Sequence, residues 1–142
     1  VRLELKSVVD ISYVAVGDCV QLEAISMPEL RSVLHIAIQN NPRLLKLDMT
    51  NLFSIYLDPT INADRAGLQI VGNDSLQTLK GFENLQVIGR NRPLEITGNP
   101  NLPTCAVVQI RDRLAKNGWK GVGNVCGNRV DACHSRECAE SE

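Results

Sequence analysis

The chain has 142 residues, 44% of them apolar, with two Phe, two Tyr, one Trp and a formal net charge of −1. That suffices for one domain with an aliphatic core, and the near-neutral charge without a basic patch argues against nucleic acid as a partner. No apolar run approaches the roughly 18 residues a membrane-spanning helix needs, which excludes membrane insertion within this chain.

Residues 1–55 carry a spacing of 22. Leu3, Leu5, Val8, Ile11, Val14, Val16, Cys19 and Leu22 become Ile25, Met27, Leu30, Val33, Ile36, Ile38, Asn41 and Leu44 when 22 is added to each number. The first four recur once more as Leu47, Met49, Leu52 and Ile55. A fixed period of this size marks a solenoid, in which each coil buries its apolar edge only against its neighbours. The alternating pair before each turn, as in Val14 and Val16, predicts a short strand with both large residues inward. Strands of successive coils should pair in parallel. Asn41 and Cys19 share one slot, where a stacked amide can satisfy backbone groups left unpaired by a tight bend. Cys19 is expected there as a free, inward, buried thiol, several coils from any other cysteine.

Residues 56–67 interrupt the array. The step from Ile55 to Leu68 is 13 residues, whereas the equivalent step from Val33 to Ile36 is three. An insertion between Asp58-Pro59 and Gly67 is therefore expected to leave the stack as a candidate binding loop, or as a tolerated surface insertion. The pattern resumes at Leu68, Ile70, Asn73, Leu76, Leu79, Phe82, Leu85 and Ile88, and again at Leu94, Ile96, Asn99 and Leu102. A shorter excursion, Gly89 to Pro93, separates the two. The structural ladder is thus assigned to Cys19, Asn41, Asn73 and Asn99. Asn73-Asp-Ser75 is a glycosylation sequon, but the ladder role of Asn73 predicts no glycan there.

Over 106–117 the period changes. Val107, Ile110 and Leu114 fall on one helical face, Thr104 is placed as N-cap and Gly118 just past the C-terminus. The helix is expected to lie over the open end of the solenoid with Trp119 packed beneath it.

Four cysteines follow the array: Cys105, Cys126, Cys133 and Cys138. They read as two disulfides and an oxidising, extracellular or cell-surface setting. Three pairings are open. Cys105–Cys133 with Cys126–Cys138 is favoured because the first bridge closes the helix onto the last coil. A zinc site from Cys126, Cys133, His134 and Cys138 is the alternative, although it lacks the close cysteine pair of most structural zinc modules. The expected division is a solenoid with its cap over 1–133 and a cysteine-containing tail or linker over 134–142. The chain begins at Val1 within a coil, without Met or signal peptide, which reads as a processed or trimmed chain.

The run from Leu68 to Gly89, Leu-Gln-Ile-Val-Gly-Asn-Asp-Ser-Leu-Gln-Thr-Leu-Lys-Gly-Phe-Glu-Asn-Leu-Gln-Val-Ile-Gly, resembles the receptor L domain, as does Leu94 to Cys105. That family forms ligand-binding lobes of insulin- and EGF-type receptors and occurs in fungal and bacterial surface proteins. The resemblance spans roughly residues 1–133, and Gly81-Phe82 with Asn84-Leu85 is its most specific part. It implies a right-handed parallel β-helix, leucine-rich-repeat-like, closed by a helix and a disulfide in an extracellular setting. In hormone-receptor members the ligand lies on the sheet built from these strands. The matching outward positions are Ala15, Gly17, Ala37, Gln39, Gln69, Val71, Glu95 and Thr97, a small and polar face without the aromatic and Arg anchors of tight interfaces.

Candidate ligand-binding residues are therefore Tyr13, Arg31, His35, Phe53 and Tyr56, together with Gln39, Gln69 and Glu95. No catalytic constellation stands out. His35 and His134 have no Ser or Cys partner in sequence, and Asp48 and Glu95 fall on different strand faces. No cofactor or metal is expected. The reading is a non-catalytic extracellular binding module presenting a solenoid face to a protein or glycan. The alternatives are a structural or adhesion protein, or a β-helix carbohydrate-active enzyme.

Overall fold

The computed structural model describes residues 1–55, 67–89 and 91–134. It is a parallel β-solenoid of about four turns closed at one end by a helix. The first coil holds β1 (Arg2–Glu4) and β2 (Asp10–Gly17), and the second β3 (Ala24–Ser26) and β4 (Ser32–Gln39). The third has β5 (Lys46–Asp48), β6 (Ser54–Ile55) and β7 (Leu68–Val71). The fourth replaces its first strand by a 3₁₀ turn (Lys80–Phe82), followed by β8 (Val87–Ile88) and β9 (Leu94–Thr97). Helix α1 (Thr104–Lys116) and β10 (Gly123–Asn124) complete the stack.

The 22-residue period is the register of the sheets. Leu3 pairs with Ile25 and Ile25 with Leu47, while Ile11 pairs with Val33 and Val33 with Ile55. Val14, Ile36, Leu68 and Leu94 form one continuous row, and Val16, Ile38, Ile70 and Ile96 the next. All of these contacts are parallel. From Ile25 onward the inward row residues are essentially inaccessible, and at roughly 25 cal/mol per Å² their burial dominates the fold's stability. The small sheet β1–β3–β5 was not expected as strands; its three-residue spans are too short to show alternation.

The Asn slot is a hydrogen-bonded ladder with one more rung than the sequence reading assigned. The backbone N–H groups of Cys19, Asn41, Asn73 and Asn99 donate to the side-chain oxygens of Asn41, Asn73, Asn99 and Asn128, at 3.1, 3.1, 3.0 and 3.2 Å. Each Asn amide in turn donates to the preceding coil, to Val16, Ile38, Ile70 and Ile96 carbonyls. The residue before every rung has positive φ: Asp18, Asn40, Gly72, Gly98 and Gly127. Left-handed geometry aims the next N–H and side chain along the stack, and Gly, Asn and Asp tolerate it best. Gly127-Asn128 repeats the Gly-Asn pair of the earlier coils, the signal that marks this fifth rung. Cys19 departs from expectation. It is free but exposed, because it lies on the outermost described coil, and its thiol donates to its own coil at Gly17 O.

The most specific piece of the L-domain resemblance has a packing explanation. A Cβ on Gly81 would lie 2.3 Å from Leu47 O and 2.7 Å from Met49 N, so the 3₁₀ turn meets β5 backbone to backbone. Phe82 is then wholly buried. The Asn84 amide donates to Thr50 O at 2.7 Å, repeating the bond from Asn51 to Pro28 O one coil earlier. Only Gly fits at 81, and Asn84 ties the turn to the coil below.

Helix α1 buries Val107, Ile110 and Leu114 over the last coil, as expected. Its start differs from the sequence reading. Pro103 occupies the N-cap position, and Thr104 lies in the first turn with its hydroxyl donating to Arg129 O at 2.7 Å. The Asp131 carboxylate supplies the cap instead, accepting the Cys105 N–H at 2.9 Å, and these two contacts hold the tail on the helix. Gly118 has φ +97°, and the Trp119 N–H reaches Leu114 O while the Gly118 N–H reaches Ala115 O, a Schellman stop. Trp119 is 8% exposed and donates its indole N–H to Arg92 O.

Cys105 and Cys133 are joined, with a Cα–Cα separation of 5.1 Å. That removes Cys133 from the zinc set considered above. Cys126 is also disulfide-bonded; its expected mate, Cys138, lies outside the described residues, as does the rest of the 135–142 tail.

Candidate binding face

The inward rows fix where every outward residue goes. Between Ile11 and Val14, and again between Val33 and Ile36, two consecutive residues must face out, so the strands turn a corner at Ser12-Tyr13 and Leu34-His35. Tyr13 and His35 are register partners. Their rings meet edge to face with centroids 6.2 Å apart, a favourable aromatic geometry. Tyr13 is 47% exposed. β4 continues unbroken past both β6 and β7, so the interval between Ile55 and Leu68 opens at this same corner. The insertion itself, with Tyr56, lies outside the described residues.

Beyond the corner, β2, β4, β7 and β9 present one outer face. Its central row is Ala15, Ala37, Gln69 and Glu95, and the next is Gly17, Gln39, Val71 and Thr97. The three polar candidates form a chain across it. The Gln39 amide donates to Gln69 Oε1 at 3.2 Å, and the Gln69 amide donates to Glu95 Oε2 at 3.4 Å. Hydrogen bonds across coils hold these side chains in place, which fixes their remaining donors and acceptors. Thr97, expected at an outward position, is 5% exposed, beside the turn where the Gly98 N–H reaches Cys126 O.

Five of the sequence candidates, Tyr13, His35, Gln39, Gln69 and Glu95, therefore share one continuous face. Arg31 and Phe53 do not join them. They are neighbours in a separate row at the start of β4 and β6, where the Phe53 N–H donates to Arg31 O at 2.9 Å. Phe53 is 55% exposed and Val9 in the same row 42%. Sequence spacing placed Ile11 and Val14 inward but did not separate the two groups, because which outward residues share a face depends on how the strand bends at Ser12-Tyr13.

His35 is the one perturbed titrating group on the face. Burial pushes its imidazole below its ordinary pKa of 6.5, opposed by a hydrogen bond with the Gly67 backbone. Its Nδ1 is buried without a partner among the described residues. Asp48 accepts from Ser26 and Thr50 hydroxyls on the opposite sheet, remote in the coil from Glu95. Asp131, in the cap, has its pKa lowered by the Cys105 N–H.

Two grooves among the described residues lie away from these five. A groove of about 540 Å³ runs over Lys46, Asp48, Thr50, Thr78 and Lys80, and one of about 190 Å³ separates the 3₁₀ turn from α1. Among the described residues no helix is long and apolar enough to cross a membrane. Comparison with protein-family models, with curated proteins and with solved structures yields no match.

Proposed function

We propose that the chain is a non-catalytic extracellular or cell-surface binding module, of the kind the receptor L domain resemblance implies, which engages a protein or glycan partner. The observation that carries this reading is the assembly of Tyr13, His35, Gln39, Gln69 and Glu95 on one rigid face. A parallel sheet with a fixed register positions such residues at little entropic cost on binding, since the rotamers of Gln69 and Glu95 are already restrained. The Cys105–Cys133 bridge supports an oxidising setting.

The test is a screen of the immobilised chain against extracellular proteins and glycans. The expected result is a partner whose binding falls at least about tenfold, roughly 1.4 kcal/mol, in Gln69→Ala and Tyr13→Ala, with circular dichroism unchanged. A partner insensitive to both substitutions, or none from either library, refutes the reading.

A further inference from the structure

The five-residue face has a geometry that narrows its partner. Taking the binding-module reading as its basis, we propose that this face binds a neutral, extended, linear polysaccharide lying along the solenoid axis, across the strands.

The first argument is periodicity. Adjacent hydrogen-bonded strands lie about 4.8 Å apart, and a pyranose unit in an extended chain advances by about the same distance. Successive sugars can therefore reach successive coils at closely matching intervals, with alternate residues turning alternate edges to the sheet. The second is relief. On the first two coils the floor is Ala15, Ala37 and Gly17, with no side chain beyond Cβ. One border is the Tyr13–His35 pair. The other border and the far half of the floor are Gln39, Gln69 and Glu95. A ribbon-shaped ligand can settle on such a strip with an apolar ring face toward Tyr13 and its hydroxyl edge toward the amides.

The third argument is the inventory of polar groups. A primary amide both donates and accepts, and a carboxylate accepts, which suits vicinal hydroxyls that do both. Gln39 uses one of its two amide hydrogens on Gln69, and Glu95 engages Gln69 through Oε2, so each keeps capacity for a ligand. The two central rows carry Glu95 as their sole ionisable residue and no Lys or Arg. An acidic polysaccharide would meet only like charge there. A protein partner is disfavoured by the floor, because tight protein interfaces seat large anchors in pockets, and Ala and Gly on a flat sheet make none.

The experiment is titration calorimetry of the whole chain with neutral linear β-linked gluco- and xylo-oligosaccharides, from disaccharide to hexasaccharide. Affinity should rise about tenfold between disaccharide and tetrasaccharide and then level off, when the ligand has spanned the described coils. Ala37→Leu, which raises the middle of the floor on an outward position, should abolish binding while the melting temperature holds. Arg31→Ala, in the separate row, should leave it unchanged. Binding without length dependence, or binding that survives Ala37→Leu, overturns the proposal. If no saccharide binds but an extracellular protein does so in an Ala37→Leu-sensitive way, the polysaccharide is wrong and the binding face stands. If nothing sensitive to Ala37→Leu binds, both fail.

Discussion

Replacing Asn73 by Ala removes the middle of the ladder, and its cost can be worked out from the bonds lost. Asn73 is fully buried. Its Oδ1 accepts the Asn41 backbone N–H at 3.1 Å, and its Nδ2 donates to Ile38 O at 2.9 Å and Val71 O at 3.3 Å. Truncation leaves the Asn41 N–H without an acceptor, in a place water does not reach, and withdraws a donor from the Ile38 carbonyl. A buried polar group left unsatisfied costs roughly 1–3 kcal/mol, so for these two groups the loss should be about 2–6 kcal/mol. Gln69→Ala removes two partly exposed side-chain bonds on the outer face, and should cost less than about 1 kcal/mol. Cys19→Ala, in the same slot but on the exposed coil, should change stability by under about 0.5 kcal/mol. Urea denaturation followed by far-ultraviolet circular dichroism measures all three, with similar m values indicating the same unfolding reaction. If Asn73→Ala costs no more than Gln69→Ala, the ladder is not what holds the turns.

Gly81→Ala forces a Cβ to within 2.3 Å of Leu47 O and should destabilise by about 2 kcal/mol or more; a shift in the urea midpoint no larger than that of Gln69→Ala would remove the close-approach argument. A thiol reagent should modify Cys19 in the native protein, and cysteine-resolved mass spectrometry after labelling without reductant should show Cys105 and Cys133 unmodified. Breaking the Cys105–Cys133 bridge, which spans 28 residues, should lower stability by roughly 3–4 kcal/mol in the chain-entropy picture. The folded-state pKa of His35 lies below 6.5, so as pH falls through 6.5 the unfolded chain takes up the proton first. Stability should therefore drop with pH from 6.5 down to the folded-state value, and His35→Gln should flatten that limb; an unchanged slope in the variant would mean another group sets it.

What the sequence revealed and what it hid divide along a physical line. Inward rows are under a packing constraint repeated every coil, so Val14 to Leu94 and Val16 to Ile96 could be aligned by counting, across an insertion and an excursion. The capping face of α1 was legible for the same reason. Its first turn was not: Thr104 has the chemistry of an N-cap, but Arg129 O takes its hydroxyl and Asp131, 26 residues away from Cys105, does the capping. Burial of Cys19 was misread because slot identity says nothing of whether a coil lies on both sides. The sheet of β1, β3 and β5 escaped because three residues cannot display a period of two.

The candidate face was half legible, and the reason bears on what it does. Outward residues carry no packing constraint, so their pattern reports only on what the surface needs. Small residues at Ala15, Gly17 and Ala37 are not required by the core, since the inward Val14, Ile36 and Ile38 fill it, with Val16 packed against them. The outward rows of the opposite sheet are Arg2, Ala24 and Lys46, then Glu4, Ser26 and Asp48, small only on the middle strand and charged on both flanking ones. The strip beside Tyr13 and His35 differs in being small on two adjacent strands, at Ala15, Gly17 and Ala37, on the side where the third coil opens at its corner. Gln39, Gln69 and Glu95 continue that difference. They bond to one another across coils instead of trailing into water. On the proposed reading, a surface that stays flat, holds its few polar groups still and keeps charge low suits contact along the stacking direction. The opposite sheet, with its scattered ion pairs between Arg2, Glu4 and Lys6, is organised for solvent.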